Sequence, residues 1–214
     1  MPRILALVGD YYHCSDQLLL ALSPVLQETG SELFLTRYPD PPAPRELAGY
    51  DLVILAMMGR LRPRESKEYW FDDLSQRALE AAVSVGAGLL LFHSGTASHP
   101  DDGALRRLSG GHFVQHPPEH PVVTVTPLAE HPITSGVGEF AHPDEHYFME
   151  IDDDVTQLLR ASSTLGEQSA GWCKTHGAGR VAAIVPGHTR EMLEDPALGL
   201  LLQNSVQWCL RAGE

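Results

Sequence analysis

The chain has 214 residues, enough for one domain with a sizeable buried core. Its 28 acidic residues against 15 basic ones give a formal net charge of −13. This excludes a phosphate-backbone partner, which needs a clustered basic surface, and the short RLRPR segment at 60–64 is too small to reverse the balance. No apolar run reaches the roughly 18–20 residues of a membrane span, and Met1–Gly9 is too short for a signal peptide, so the expected location is the cytoplasm. Three cysteines (14, 173, 209) form no disulfide framework and no CxxC motif. The 11 histidines are the unusual count.

In chain order, Arg3–Gly9 (RILALVG) reads as a first buried strand, followed by a polar loop with His13. Gln17–Thr29 carries Leu18, Leu19, Leu22, Val25 and Leu26 at helical spacing and stops at Gly30; Pro24 inside it predicts a kink or a break. Glu32–Arg37 is a second strand, Tyr38–Pro44 a Pro-rich crossover, and Tyr50–Ala56 (YDLVILA) a third strand. Ser66–Val85 turns helical, with Leu74, Ala78, Ala81, Ala82 and Val85 on one face. It leads into Leu89–Phe92, an apolar run between glycines, the pattern of a strand buried on both faces of a parallel sheet. A helix over Asp102–Leu108 follows, capped by Asp101 or Asp102.

Alternation of strands and helices specifies βαβ units with right-handed crossovers. The fold class is therefore α/β: a flavodoxin-like parallel sheet with helices on both faces. Residues of about 110–155, dense in Gly, Pro and His, read as an inserted antiparallel and loop region, with Val122–Thr126 alternating like a half-exposed strand. Thr156–Ala161, Ala170–Thr175 and Gly179–Pro186 are further strands, the last two joined by a turn at 176–179. Asp195-Pro196 opens a final helix to about Arg211, with Asp as N-cap and Pro at the first helical position.

Ligands of parallel sheets gather at the carboxyl ends of the strands, where His13, His93 with Ser94, and His188 all fall. If a helix N-terminus follows His93, its dipole disfavours the imidazolium and leaves a neutral ring for metal ligation or proton transfer; the alternative is a structural pin. Ser94 lacks the GxSxG flanks of a nucleophile elbow and is read as an orienting hydroxyl. Cys14 is a thiol ligand, a nucleophile or packing. His116 and Glu145, in the inserted region, suit acid–base work, and several His with a Glu suit Zn²⁺ or another divalent metal. No HExxH or HxH spacing occurs, so every ligand would come from a different loop. His112, His120, His131, His142, His146 and His176 are expected in solvent-facing loops. Tyr11, Tyr12, Tyr147, Phe148 and Trp172 offer a wall on which a sugar face could stack, with Tyr11 and Tyr12, next to His13, the best placed.

Five segments taken together, GLLLFHSGTASHPD, GGHFVQHPP, EHPITSGVGEF, DEHYF and the long GAGRVAAIVPGHTREMLEDPALGLLLQNSVQW, resemble the ThuA-like (trehalose utilisation) family in the same order, over about residues 3–212. The resemblance implies a single class I glutamine amidotransferase-like domain over 1–214 and a place in carbohydrate metabolism, on a trehalose-type disaccharide or keto-sugar. Against that wider fold the elbow position of the nucleophilic Cys looks like His93, while the late His is kept at His188. Thiolate glutamine hydrolysis is therefore not expected. The chemistry expected is acid/base or metal-assisted, with His93, His188 and Glu145 catalytic. His13, Tyr12, Ser94 and His116 would bind substrate, and His13, His93 and His188 would bind any metal. A non-catalytic sugar-binding or regulatory module on the same fold is the alternative. The partner expected is a small sugar, with neither nucleic acid nor membrane, and the inserted loops offer a dimer surface.

Overall fold

The computed structural model describes residues 1–40 and 47–211. Pro41–Pro44 of the Pro-rich crossover lie outside the described residues. Eleven strands are described: β1 (Arg3–Val8), β2 (Glu32–Arg37), β3 (Leu52–Ala56), β4 (Gly88–Phe92), β5 (Gly111–Gln115), β6 (Val122–Pro127), β7 (Phe140–Pro143), β8 (Phe148–Ile151), β9 (Thr156–Ser163), β10 (Gly166–His176) and β11 (Gly179–Ile184). Five helices accompany them: α1 (Ser15–Glu28), α2 (Asp73–Ser84), α3 (Ala104–Ser109), α4 (Arg190–Leu193) and α5 (Pro196–Leu210).

Nine strands make one sheet in the order β2-β1-β3-β4-β11-β10-β9-β6-β7. The first five are parallel and run in flavodoxin-like order. From β10 outward every pairing is antiparallel. The inserted region thus contributes in two ways. β6 and β7 widen the main sheet, and β5 pairs with β8 in a separate two-stranded ribbon.

Side chains alternate across the central strands, so each apolar run feeds two cores. Ile4, Ala6, Val8, Leu90 and Phe92 pack with α1 and α5 on one face. Leu5, Leu7, Leu89 and Leu91 pack toward α2, α3 and the ribbon on the other. Leu89–Phe92 are fully buried, each worth roughly 1.5–3 kcal/mol of apolar burial.

Some expectations shift. α1 runs through Pro24 as one helix, and all five expected leucine and valine positions are buried. α2 begins only at Asp73, with Asp72 as N-cap, and buries Ser75, Gln76, Leu79 and Val83. The expected face was wrong: Leu74 is 64% exposed and Val85 83%. Buried Gln76 turns the helix by bonding the Phe71 carbonyl through its amide nitrogen and the Leu105 amide through its oxygen, a polar anchor that an apolar count does not register. α3 starts at Ala104 behind Gly103 with no side-chain cap, so neither Asp101 nor Asp102 caps it. Asp195 caps α5 as expected, accepting from the Ala197 amide.

At the end of β4 the chain makes a single 3₁₀ turn, His93–Thr96. His93 takes a left-handed φ of +45°, and Gly95 passes so close to β3 that a Cβ would lie 1.8 Å from the Leu55 carbonyl oxygen. Gly95→Ala is expected to lower stability by about 3 kcal/mol or more, since backbone has to move to admit the methyl; a denaturant titration reads this directly.

Candidate active site and metal centre

Three strand ends deliver three imidazoles to one point. His13 follows β1, His93 follows β4, and His188 follows β11. The segment between β7 and β8 adds Glu145. Glu145 Oε2 lies 3.2 Å from His188 Nδ1, 3.5 Å from His93 Nε2 and 3.8 Å from His13 Nε2. His13 Nε2 and His93 Nε2 are 3.0 Å apart. One ligand atom from each of these four residues falls within 4.8 Å of all the others. The other Glu145 oxygen faces His116 Nε2 at 3.5 Å and His120 Nε2 at 3.9 Å.

Second partners orient these rings. A carbonyl or carboxylate can only accept, so each histidine bonded to one must donate from that nitrogen. His93 donates Nδ1–H to the Val185 carbonyl at 2.9 Å, and His13 donates Nδ1–H to Asp10 Oδ1 at 2.8 Å. Both rings therefore aim Nε2 at the centre. Asp10 is itself buried and tied to the amides of Tyr12, His13 and Met58. The buried hydroxyl of Ser94 lies against it. Asp144, fully buried, accepts from the amides of Gly187, His188 and Thr189 at 2.8–3.0 Å and so fixes the loop that carries His188. Asp144→Ala would strand one buried and two part-buried amides, an expected loss of about 2 kcal/mol or more, with His188 displaced in the ring chemical shifts of the folded fraction.

The charges follow from this packing. Burial drives the His93 pKa down, so its ring is neutral. The neighbour of His93 is a 3₁₀ turn rather than a helix N-terminus, so burial replaces the dipole as the cause of neutrality. Burial also opposes a charge on His13, but the Asp10 and Glu145 carboxylates outweigh it and lift its pKa to about 9. Burial would raise Glu145, yet His13, His188 and His93 hold it far below the usual carboxylate range. Tyr147 stacks on His93 with its hydroxyl 3.3 Å from Nε2; burial and the nearby carboxylates keep the phenol protonated.

The four ligand atoms suit a divalent ion. Nitrogen ligands about 2.0 Å from a tetrahedral ion sit about 3.3 Å from each other; four of the six pairs here are 3.0–3.8 Å apart, and all lie within 4.8 Å. Glu145 Oε2 and His188 Nδ1 are buried and make no hydrogen bond, as expected of atoms shaped for a cation. The Asp10–His13 and Val185–His93 contacts match the outer-shell support that orients metal-bound imidazoles.

A cleft of about 460 Å³ opens above this cluster, lined by Tyr12, Ser94, His116, Tyr147 and others. The structure thus gathers His13, His93, Ser94, His116, Glu145, His188 and Tyr12 in one place. Trp172 is fully buried in the core and forms no stacking wall, while Tyr11 and Phe148 do not line the cleft. His120 lies in an exposed loop as expected, with Nε2 3.9 Å from Glu145 Oε1. His146 is buried against the Ser163 hydroxyl. Cys14 is exposed and stands outside the ligand set. Asp10 and Asp144 were missed because their work is done through backbone amides and one ring nitrogen. The only signal was their place beside a strand-end His in GDYYH and in PDEH.

Fold and site together define an α/β protein of flavodoxin-like order whose strand-end elbow presents an imidazole, with a His₃Glu cluster in the cleft. The sequence matches the profile of the family described as ThuA, trehalose utilisation, over residues 3–209, and the chain belongs to that family. Solved structures agree on the fold. A ThuA-like protein from Bacteroides uniformis is 20% identical with a TM-score of 0.69, covering 97% of this chain and 90% of that one. A cytoplasmic protein from Salmonella typhimurium is 13% identical with a TM-score of 0.70, covering 98% and 99%. A β-galactosidase from Rahnella sp. R3 shares the fold at 12% identity and a TM-score of 0.60, over 95% of this chain but 31% of its own. No curated protein matches the sequence significantly. Among the described residues no helix is long and apolar enough to cross a membrane.

Proposed function

We propose that the chain is a cytoplasmic enzyme of carbohydrate metabolism that acts on a trehalose-type disaccharide or keto-sugar by metal-assisted acid–base chemistry. The observation that carries this reading is the convergence of His13, His93 and His188 on one oxygen of buried Glu145. These four residues would hold a divalent ion such as Zn²⁺, which when bound supplies Lewis acidity to a sugar hydroxyl, carbonyl or water.

The remaining groups have separate tasks. Asp10 and the Val185 carbonyl keep two rings in the tautomer that points Nε2 inward. His116 donates Nδ1–H to the Pro117 carbonyl at 2.8 Å, which leaves Nε2 as the nitrogen facing Glu145 and the cleft. It is about one third exposed and so can exchange a proton with both substrate and solvent. Among the described residues lining the cleft, Glu145 is the one carboxylate, an arrangement that does not supply the carboxylate pair of a retaining glycosidase.

Elemental analysis of the purified protein, paired with product analysis on trehalose and on keto-disaccharides, tests the reading. A stoichiometric divalent metal and turnover that vanishes in the His93→Ala/His188→Ala double variant are expected. Full activity in that variant would overturn it.

A further inference from the structure

A second cavity, of about 240 Å³, lies at the carboxyl ends of β3 and β4, beside the cleft rather than within it. Ser98 and Phe113 line both spaces and form their common border. The wall of the second cavity is polar. Arg60 is held in place by Tyr69, whose hydroxyl accepts from Nη2 at 3.0 Å and whose ring lies 4.9 Å beneath the guanidinium carbon. Asp101 and His112 also face this space, and His99 closes it.

Hydrogen-bonding capacity is left over in this wall. Arg60 Nε, His99 Nδ1 and His112 Nδ1 are covered and make no hydrogen bond within the protein. His99 donates Nε2–H to the Gly95 carbonyl at 2.9 Å, so its Nδ1 carries a lone pair, and burial pushes its pKa down to about 4. The set therefore mixes a donor (Arg60) with an acceptor (Asp101), while His99 Nδ1 is packed against Gly59. Hydroxyl groups, which donate and accept together, fit such a set better than an anion does. Arg106, the other guanidinium here, is already committed to Asp152 by two bonds of 2.7 and 3.0 Å, and Arg60 shares the cavity with the Asp101 carboxylate.

The backbone at the border is also unusual. The described non-glycine residues with left-handed φ are His93, Ser98 and Arg211; the last is a helix C-cap, and the first is a proposed ligand. Ser98, at +55°, sits between the two cavities. It is accommodated by Gly59, where a Cβ would fall 2.1 Å from the Ser98 carbonyl oxygen and 2.7 Å from His99 Nδ1. Strain of this kind persists where surrounding structure enforces it, commonly at ligand sites.

We propose that this cavity is a second carbohydrate subsite, holding the non-reacting pyranose of a disaccharide whose other ring occupies the His–Glu cleft. The volume is below the roughly 300–1,000 Å³ of a drug-sized pocket and suits one ring. Tyr69 and Phe113 give it aromatic surface for a sugar face. The assignment rests on the carbohydrate reading above for its ligand class, but its test does not need turnover.

D-glucose and trehalose are titrated calorimetrically into the metal-loaded protein, and crystals are soaked in D-glucose. The expected result is a pyranose beside Arg60. Affinity should fall about tenfold or more in Arg60→Met, which removes a charged donor, and in Val114→Trp, which blocks the cavity from the exposed end of β5. His188→Ala should still bind D-glucose, which separates this subsite from the metal reading. Unchanged affinity in both cavity variants would overturn the proposal. So would inorganic phosphate taking the place of glucose at Arg60, or neither sugar binding at saturating concentration.

Discussion

Glu145→Gln is expected to yield a folded protein that lacks the metal binding and the turnover proposed for the unmodified chain. The substitution keeps volume and shape, so the cleft should survive. What disappears is the negative charge on which three imidazoles converge at 3.2–3.8 Å. A neutral amide cannot balance a divalent ion, and its NH₂ end would point donors at the His13, His93 or His188 nitrogens. Loss of an outer-shell partner alone costs 10–100-fold in metal affinity, so loss of a direct ligand should cost at least about 100-fold. Turnover should fall by about 10²–10⁴-fold or more, the range of a missing proton-transfer or electrostatic group. The same change removes one of the two carboxylates that lift His13, so its pKa should move down from about 9. Metal content by elemental analysis and His13 titration by NMR check both halves. A variant with stoichiometric metal and full turnover would remove Glu145 from the centre.

Much of this arrangement is legible in the sequence, for identifiable reasons. GLLLF between glycines announces a strand buried on both faces, and β4 is one. A residue following such a strand sits at the sheet's carboxyl edge whatever the loop does, so His13, His93 and His188 can be placed together without coordinates. Glu145 and His116 came instead with the family resemblance of DEHYF and GGHFVQHPP, since no periodicity locates a loop residue in space. What sequence reading loses is polar anchoring. Gln76 sets the buried face of α2, Asp10 fixes the tautomer of His13, and Asp144 gathers three amides under His188. Each is a single buried polar side chain that satisfies long-range partners, and such contacts leave no periodic trace.

The centre also makes proton and metal competitors, and this gives the second large effect. In the metal-free protein His13 carries a proton up to about pH 9, with Nε2 3.0 Å from the neutral His93 acceptor. The folded pKa lies above the ordinary value of 6.5, so protonation favours the folded state. That contribution is complete below about pH 6.5, shrinks as pH rises and is gone above about 9. The rise from 6.5 to about 9 corresponds to at most about 3–4 kcal/mol at about 1.36 kcal/mol per pH unit. A metal ion must displace this proton to reach His13 Nε2, so binding releases it. Apparent affinity for Zn²⁺ should therefore climb roughly tenfold per pH unit from 7 toward 9 and then level off, as measured by competition with a chelator at each pH. Asp10→Asn tests the cause. The Asn oxygen can keep the Tyr12 and His13 amides, but the Met58 amide loses its acceptor on the second oxygen and the carboxylate charge on His13 Nδ1–H is lost. The His13 pKa should then fall, the plateau should begin at lower pH, and affinity on that plateau should drop about 10–100-fold. An affinity independent of pH in the unmodified protein would show that no proton guards this site.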